Sequence, residues 1–431
     1  MEQGARSRLG AVVRVASGNF LEMYDFMVFG YYAAAIGAAF FPAGSPYLSL
    51  LLALATFGAG FLMRPVGAVV LGAYADRRGR RAGLLLSLSL MSVGILVTAC
   101  TPGYATIGLA APLLVLAGRL LQGFSAGMEL GGVSVYLAEI APPGRKGFYV
   151  SWQSASQQVA VIFAAMVGLA LHTRLSAEEM AAWGWRIPLL LGCLVIPVVL
   201  WLRRSLEETP EFSARRHHPG SRELLRSLAA SLPFVTVGVL MVTMTTVSFY
   251  MITAYTPTFG TAVLRLSGLD SFLATLAVGA SNLLWLPVMG AWSDRIGRPP
   301  LLIGCTLLML ATAYPVLSAL VHGPSLGGLL ATELWLSFLY ASYNGAMVVF
   351  LTEIMPVDAR TTGFALAYSL ATSLFGGFTP AICTYLIHRT GNPAVPGVWL
   401  SFAALCGLVA TGLAVRMTRR KRFHEAAIIG D

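Results

Sequence analysis

Between residues 18 and 416 one pattern recurs twelve times: an apolar run of about twenty residues, closed by Gly, Pro or charge. The runs fall near 18–40, 47–71, 82–100, 107–137, 148–171, 185–202, 229–252, 270–290, 300–320, 326–351, 362–387 and 397–416, here numbered spans 1 to 12. A helix of that length crosses the roughly 30 Å hydrocarbon core of a bilayer and satisfies its own backbone hydrogen bonds while doing so. Only 11% of the residues are charged, against about 25% in a soluble domain. Mean hydropathy is +0.74. A soluble chain of 431 residues needs a polar exterior that this one lacks, which excludes a cytosolic enzyme, a disordered chain and a secreted scaffold. The reading is an all-α membrane protein with twelve transmembrane helices.

Charge placement orients it. With the amino terminus inside, 23 of the 29 Lys and Arg residues fall on that side and four (Arg174, Arg186, Arg265 and Arg389) on the other. That asymmetry puts both termini of a multi-pass protein in the cytoplasm. It also accounts for the net charge of +10 without a nucleic-acid partner. The first span reads as a retained anchor, since no small-residue cleavage site follows it. Five cysteines lie in or at the ends of apolar runs with no metal-ligand spacing. No zinc-hydrolase or P-loop motif occurs, and no cofactor or metal is expected. Gly123-Phe-Ser-Ala-Gly127 matches the hydrolase elbow in letters only. The elbow needs a strand-to-helix turn, whereas Gly123, Gly127 and Gly131 form a small-residue packing seam within a helix.

Two segments occur twice in the same order. Gly72-Ala-Tyr-Ala-Asp76-Arg77-Arg78-Gly79-Arg80-Arg81 returns 218 residues later as Gly290-Ala-Trp-Ser-Asp294-Arg295-Ile-Gly297-Arg298. Tyr136-Leu-Ala-Glu139-Ile returns 214 residues later as Phe350-Leu-Thr-Glu353-Ile. The duplication divides the chain into two pseudo-symmetric six-helix bundles, residues 1–202 and 229–431. A cytoplasmic linker, 203–228, joins them, and a basic tail closes the second bundle. Duplicated bundles with a substrate site between them are a common transporter plan.

The repeated loop resembles the signature of the major facilitator superfamily. Gly18-Asn19-Phe20-Leu21-Glu22-Met23-Tyr24-Asp25-Phe26, Phe61-Leu62-Met63-Arg64-Pro65-Val66-Gly67 and Trp183-Gly184-Trp185-Arg186-Ile187-Pro188 are similar to the metabolite:proton symporter family within it. Gly118-Arg119-Leu-Leu-Gln122-Gly123, Gly131-Gly-Val-Ser-Val-Tyr136 and Ser151-Trp152-Gln153-Ser154 look most like its citrate–proton and tricarballylate–proton symporters, as does Ser369-Leu-Ala-Thr372. The likeness runs from about residue 10 to residue 415. It implies alternating access, with Gly72, Asp76, Arg77, Gly79, Arg80, Asp294 and Arg295 gating the cytoplasmic side. In the physical reading, Gly72 allows close helix approach and Asp76 meets a neighbouring helix amino terminus. Arg298-Pro299-Pro300 departs from the family pattern, and the second latch is expected to be the weaker.

Ionisable groups inside spans are functional candidates, since each costs a few kcal/mol at the bilayer centre. They are Glu22, Asp25, Arg64, Arg119, Glu129 and Glu333. Glu22 and Asp25, three apart, share a helix face with Asn19. Arg119, Gln122 and Glu129 recur on one face of span 4. Asp25 and Arg119 are expected to pair, with Glu22 nearby, and Asp25, Glu22 and Glu129 to carry coupling protons. Arg119 is the first candidate for a substrate carboxylate, because a guanidinium grips carboxylates bidentately and keeps its charge. Arg64 and Arg186, nearer the cytoplasmic and outer ends, suit snorkelling or gating at least as well as ligation. Gln153 and Gln157 on span 5 offer amide donors, and Tyr250, Asn344 and Tyr368 complete the cavity from the second half. The expected activity is proton-coupled symport of a tricarboxylate, citrate or tricarballylate, by a monomer in the bilayer. A dicarboxylate, betaine or other osmolyte remains open as substrate, and so does exchange or export.

Overall fold

The computed structural model describes residues 20–78, 80–127, 129–204, 231–356 and 360–429, and their regular structure is entirely helical. Among the described residues, eight helices are long and apolar enough to cross a membrane. Two bent pairs, Phe20–Tyr31 with Ala33–Phe40 and Ala177–Gly184 with Arg186–Pro197, bring the number to ten, and the shorter Leu85–Cys100 and Ala110–Ala126 supply the last two places. The expected 203–228 linker lies outside the described residues apart from its first two.

The spans are less regular than apolar runs suggest. Span 1 turns by 72° between Tyr31 and Ala33. Span 2 is Pro46–Leu62 and Arg64–Arg78, broken at Met63. There Pro65 has no N–H to give to the turn before it. Span 7 (Leu232–Tyr250) continues as π-helix over Met251–Tyr255 and again over Phe259–Val263, on either side of Thr256–Thr258 with Pro257 inside. Span 11 relaxes the same way over Thr372–Gly376, before Pro380 opens the helix Thr379–Thr390. Serines cap spans 2, 8 and 10 where they leave the end opposite the repeated loops: Ser45, Ser267 and Ser325 each accept from a backbone N–H three residues on.

Spans 2 and 4 pack backbone to backbone. A Cβ on Gly123 would run into the Gly60 carbonyl, one on Gly127 into the Arg64 carbonyl, and one on Gly67 into Phe124. The seam expected at Gly123 and Gly127 is therefore real, and it fixes where Arg64 and Arg119 stand. At Gly72 the expectation is not met. No described atom lies within 4 Å of its Cβ position. Its repeat partner Gly290 makes the close approach instead, with the Gly147 carbonyl 2.5 Å from where its Cβ would be.

The two halves meet most extensively where span 5 (Lys146–Arg174) lies along span 8 (Gly268–Ile296). They touch at both ends. At the end away from the repeated loops, Tyr47 stacks on His388 at 3.7 Å between centroids and Thr258 donates to the Gly30 carbonyl at 3.3 Å.

Candidate functional site

Span 1 carries two carboxylates one turn apart, and each has its own arginine. Asp25 Oδ2 lies 2.9 Å from Arg119 Nη1, and Arg119 Nη2 donates to Oδ1 at 3.3 Å. Glu22 Oε1 accepts from Arg64 Nη2 at 2.7 Å. All four side chains are buried, Arg119 completely. The first contact is an ion pair off the hydrogen-bond direction, so Asp25 Oδ2, Arg119 Nη1 and Arg119 Nε are without hydrogen-bond partners among the described residues. Aromatic faces take up the remaining surface of the guanidinia. Arg119 lies over Phe29 at 4.1 Å, Arg64 over Phe61 at 4.5 Å, and Phe26 stands beside both. Such cation–π contacts strengthen where water is excluded.

The expected Asp25–Arg119 pair is present. Glu22, expected merely nearby, is committed to Arg64, and Arg64, buried in that pair, does not reach outward as a snorkelling side chain. Arg186 does lie near its helix start, where it donates to the carbonyls of Ala99 and Thr101 at the close of span 3.

From the second half, Tyr250 packs on Phe57 and Phe61 at 6.0 and 5.2 Å and lies within electrostatic reach of Arg64 and Glu22. Tyr368 is within reach of Arg64 as well. Tyr340 interacts with both tyrosines, and Asn344 donates to it at 3.4 Å. Arg64 thus faces the other half, whereas Arg119 stays inside its own. Around this seam, buried polar atoms lack partners among the described residues: the Asn344 carbonyl and the hydroxyls of Thr245, Thr246, Ser248, Ser369 and Thr372. Buried polar atoms are rarely left so in a folded protein, and a cluster of them is a receptive surface.

Gln122 is buried with both amide atoms unpartnered, but it leans into span 3, in the space that Gly94 leaves open. Gln153 and Gln157 are buried on span 5, with Gln153 accepting from Ser154 at 2.8 Å. The amide that crosses between halves is Gln158, which accepts from Asn282 at 3.2 Å, while Asn282 accepts from Ser337 at 2.8 Å. Asn19 and the Glu129 side chain lie outside the described residues.

At the repeated-loop end, Asp294 receives the amino terminus of span 5. Gly147 N–H donates to Oδ1 at 2.8 Å and Phe148 N–H to Oδ2 at 3.1 Å, an anion on the positive end of a helix. Arg298 holds Asp294 at 2.8 Å and Glu353 at 3.2 Å. The second latch, expected to be weakened by Pro299-Pro300, is fully made. The prolines fall in the first turn of the next helix, where no N–H is needed. Arg295 is exposed, and Arg298 does the work expected of it. A cavity of about 180 Å³ adjoins the latch, and both Glu139 and Glu353 of the repeated Leu-x-Glu-Ile segments line it. The side chains of Asp76, Arg77 and Arg80, and Gly79 itself, lie outside the described residues.

A duplicated helical bundle with buried ion pairs at its seam has known counterparts. The model of the family "Sugar (and other) transporter" matches residues 11–233 and again 220–428. The chain belongs to that transporter family. It is 59% identical to the citrate-proton symporter of Klebsiella pneumoniae, covering 95% of this chain and 93% of that one. Its identity to the citrate-proton symporter of Salmonella typhi is 57%, covering 95% of each. The fold matches the crystal structure of a D-xylose-proton symporter with a TM-score of 0.74 at 20% identity, over 93% of this chain and 97% of that one. This transporter is accordingly a major facilitator protein of twelve spans in two bundles, a carrier and not an enzyme.

Proposed function

We propose that this transporter imports citrate together with protons, Arg119 and Arg64 receiving substrate carboxylates and Asp25 carrying a coupling proton. The observation that supports it most is the pair of buried arginine–carboxylate contacts on span 1, with Arg64 turned toward the tyrosines of the opposite half. The high identity to two proteins named citrate-proton symporters supports the substrate. When a citrate carboxylate takes the Arg119 guanidinium, Asp25 loses its counter-ion in a low-dielectric site and takes up a proton. Substrate and proton then cross together. Coupling is also what energetics requires. Import of a trivalent anion against 100 mV, inside negative, costs about 2.3 kcal/mol per charge, roughly 7 in total. Protons entering with it cancel that cost.

The positive-inside asymmetry supports an orientation with the Asp294 latch on the cytoplasmic side and Tyr47–His388 outside. Asp76, Arg77, Gly79 and Arg80 would form the matching half of the gate, and the protein would work as a monomer. The test is uptake of labelled citrate and tricarballylate into proteoliposomes under an imposed proton gradient. Citrate is expected to accumulate until the gradient is dissipated. Arg119→Gln abolishes transport, and Asp25→Asn retains citrate exchange while losing accumulation. Failure of both acids to move, with folded wild-type protein, would sink the substrate assignment.

A further inference from the structure

Glu333 takes no part in the machinery above, yet it is the one buried carboxyl of the second half's described spans that lacks a basic partner. It lies two turns into span 10 (Leu326–Ile354) and is 1% exposed. Its Oε1 stands 2.9 Å from the Thr256 hydroxyl, and Oε2 has no hydrogen-bond partner among the described residues. Thr256 sits between the two π-helical stretches of span 7, beside Pro257, which has no N–H for the preceding turn. The Thr256 hydroxyl lies 2.8 Å from the Ile252 carbonyl.

Hydrogen counting then constrains the carboxyl. A hydroxyl has one hydrogen and two lone pairs, and a carbonyl can only accept. Once Thr256 donates to Ile252, its contact with Glu333 is a hydrogen bond only if Glu333 carries a proton and donates it. An ionised Glu333 would compete with Ile252 for the single hydrogen and leave one buried acceptor bare. Among the described residues, no charge on the surrounding elements is bonded to Glu333. The charged groups of spans 5, 8 and 9 that are described, among them Lys146, Arg174, Asp270, Asp294 and Arg298, sit at helix ends. On span 7 the titratable neighbours are Tyr250 and Tyr255, and the latter is bonded to Thr384. Thr256 is the one side chain bonded to Glu333 among the described residues.

The same turn touches the other half. A Cβ on Gly30 of span 1 would stand 3.1 Å from the Ala254 carbonyl, and Thr258 donates to the Gly30 carbonyl. Parting of the halves at that end pulls on the residues that flank Thr256. Resting on the symport reading, we propose that Glu333 is a second proton carrier of the transport cycle, holding its proton in this closed state through the Thr256 contact. The carboxylate takes a proton from water when the end bearing Tyr47 and His388 opens. The closed state carries the neutral acid across. The O–H bond then breaks and the proton passes to water when the opposite end opens.

The experiment is the proton-to-citrate ratio in proteoliposomes, read from the pH gradient that just reverses labelled citrate flux, in wild type and Glu333→Gln. Gln keeps the shape and can donate to Thr256, so folding and citrate exchange are expected within about twofold of wild type, with the ratio lower by about one proton. Glu333→Asp, which keeps a titratable group, is expected to restore the wild-type ratio. An unchanged ratio in Glu333→Gln overturns the inference, and so does loss of exchange in that variant, which makes the residue a packing element. Wild-type protein that moves no citrate would count against the function proposed above, a distinct result.

Discussion

The two halves share a fold and treat buried charge differently. The amino-terminal half buries two carboxylates, Glu22 and Asp25, each against an arginine and an aromatic ring. The carboxy-terminal half buries Glu333 against a threonine hydroxyl and otherwise offers tyrosines, threonines and amides. A paired charge is safe in a low dielectric while the pair lasts and costly when one member is removed. A lone carboxyl is tolerable only while neutral. On the proposed readings, duplication gave one architecture two uses: charge exchange in the first half, and neutral hydrogen bonding with a changeable proton in the second.

The largest effect is expected where a pair is broken in the half that depends on pairs. Arg119→Gln leaves Asp25 buried and alone, at a cost of about 3–5 kcal/mol. Thermal unfolding in detergent should show a clear drop, and Asp25→Asn added to Arg119→Gln should recover most of the stability and none of the transport. A double variant as unstable as the single one would mean that packing, not pairing, governs that half. Arg64→Gln exposes the same dependence at Glu22 and removes the guanidinium that faces Tyr250. We expect at least a tenfold higher KM for citrate, with the protein still folded, measured as initial uptake rate against concentration.

Between the halves the expected effects are smaller. Asp294→Asn weakens two backbone hydrogen bonds and the Arg298 contact, by about 1–2 kcal/mol in total. The reading is faster labelling of a cysteine placed at Ser151 by a reagent confined to the loop side. Unchanged labelling would show that the latch does not hold that end. Smallest is Tyr47→Ala, which removes a ring contact worth about 0.5–1.5 kcal/mol. It should leave the proton-to-citrate ratio intact and raise the exchange rate no more than a few-fold.

The apolar runs locate the spans because bilayer thickness dictates their length, and the spacings of Glu22 with Asp25 on span 1 and of Arg119 with Gln122 on span 4 mark one face on each helix because helices repeat every 3.6 residues. Arg64 is harder to read, because its buried partner Glu22 comes from another span and no spacing within span 2 marks the pair. The π-helical turns of span 7 had one signal in the sequence, Pro257. Glu333 and Gly30, which meet Thr256 and Thr258 there, are far from them in the chain and leave no local signal. Arg298 was hidden by Pro299 and Pro300, whose position in a first helical turn makes them harmless. Gln158 is one amide among several in the sequence, and only the fold sets Asn282 opposite it.

The glycine seam has a consequence for selectivity. Gly60, Gly67, Gly123 and Gly127 bring the main chains of spans 2 and 4 into contact, with the Arg64 and Arg119 backbones at the contact points. Packed that closely, two helices resist sliding, since every small shift meets repulsion. On the proposed reading the two guanidinia are then the jaws of a caliper with a fixed gap. Such a gauge ranks polycarboxylic acids by the span between their acid groups before it senses any hydroxyl.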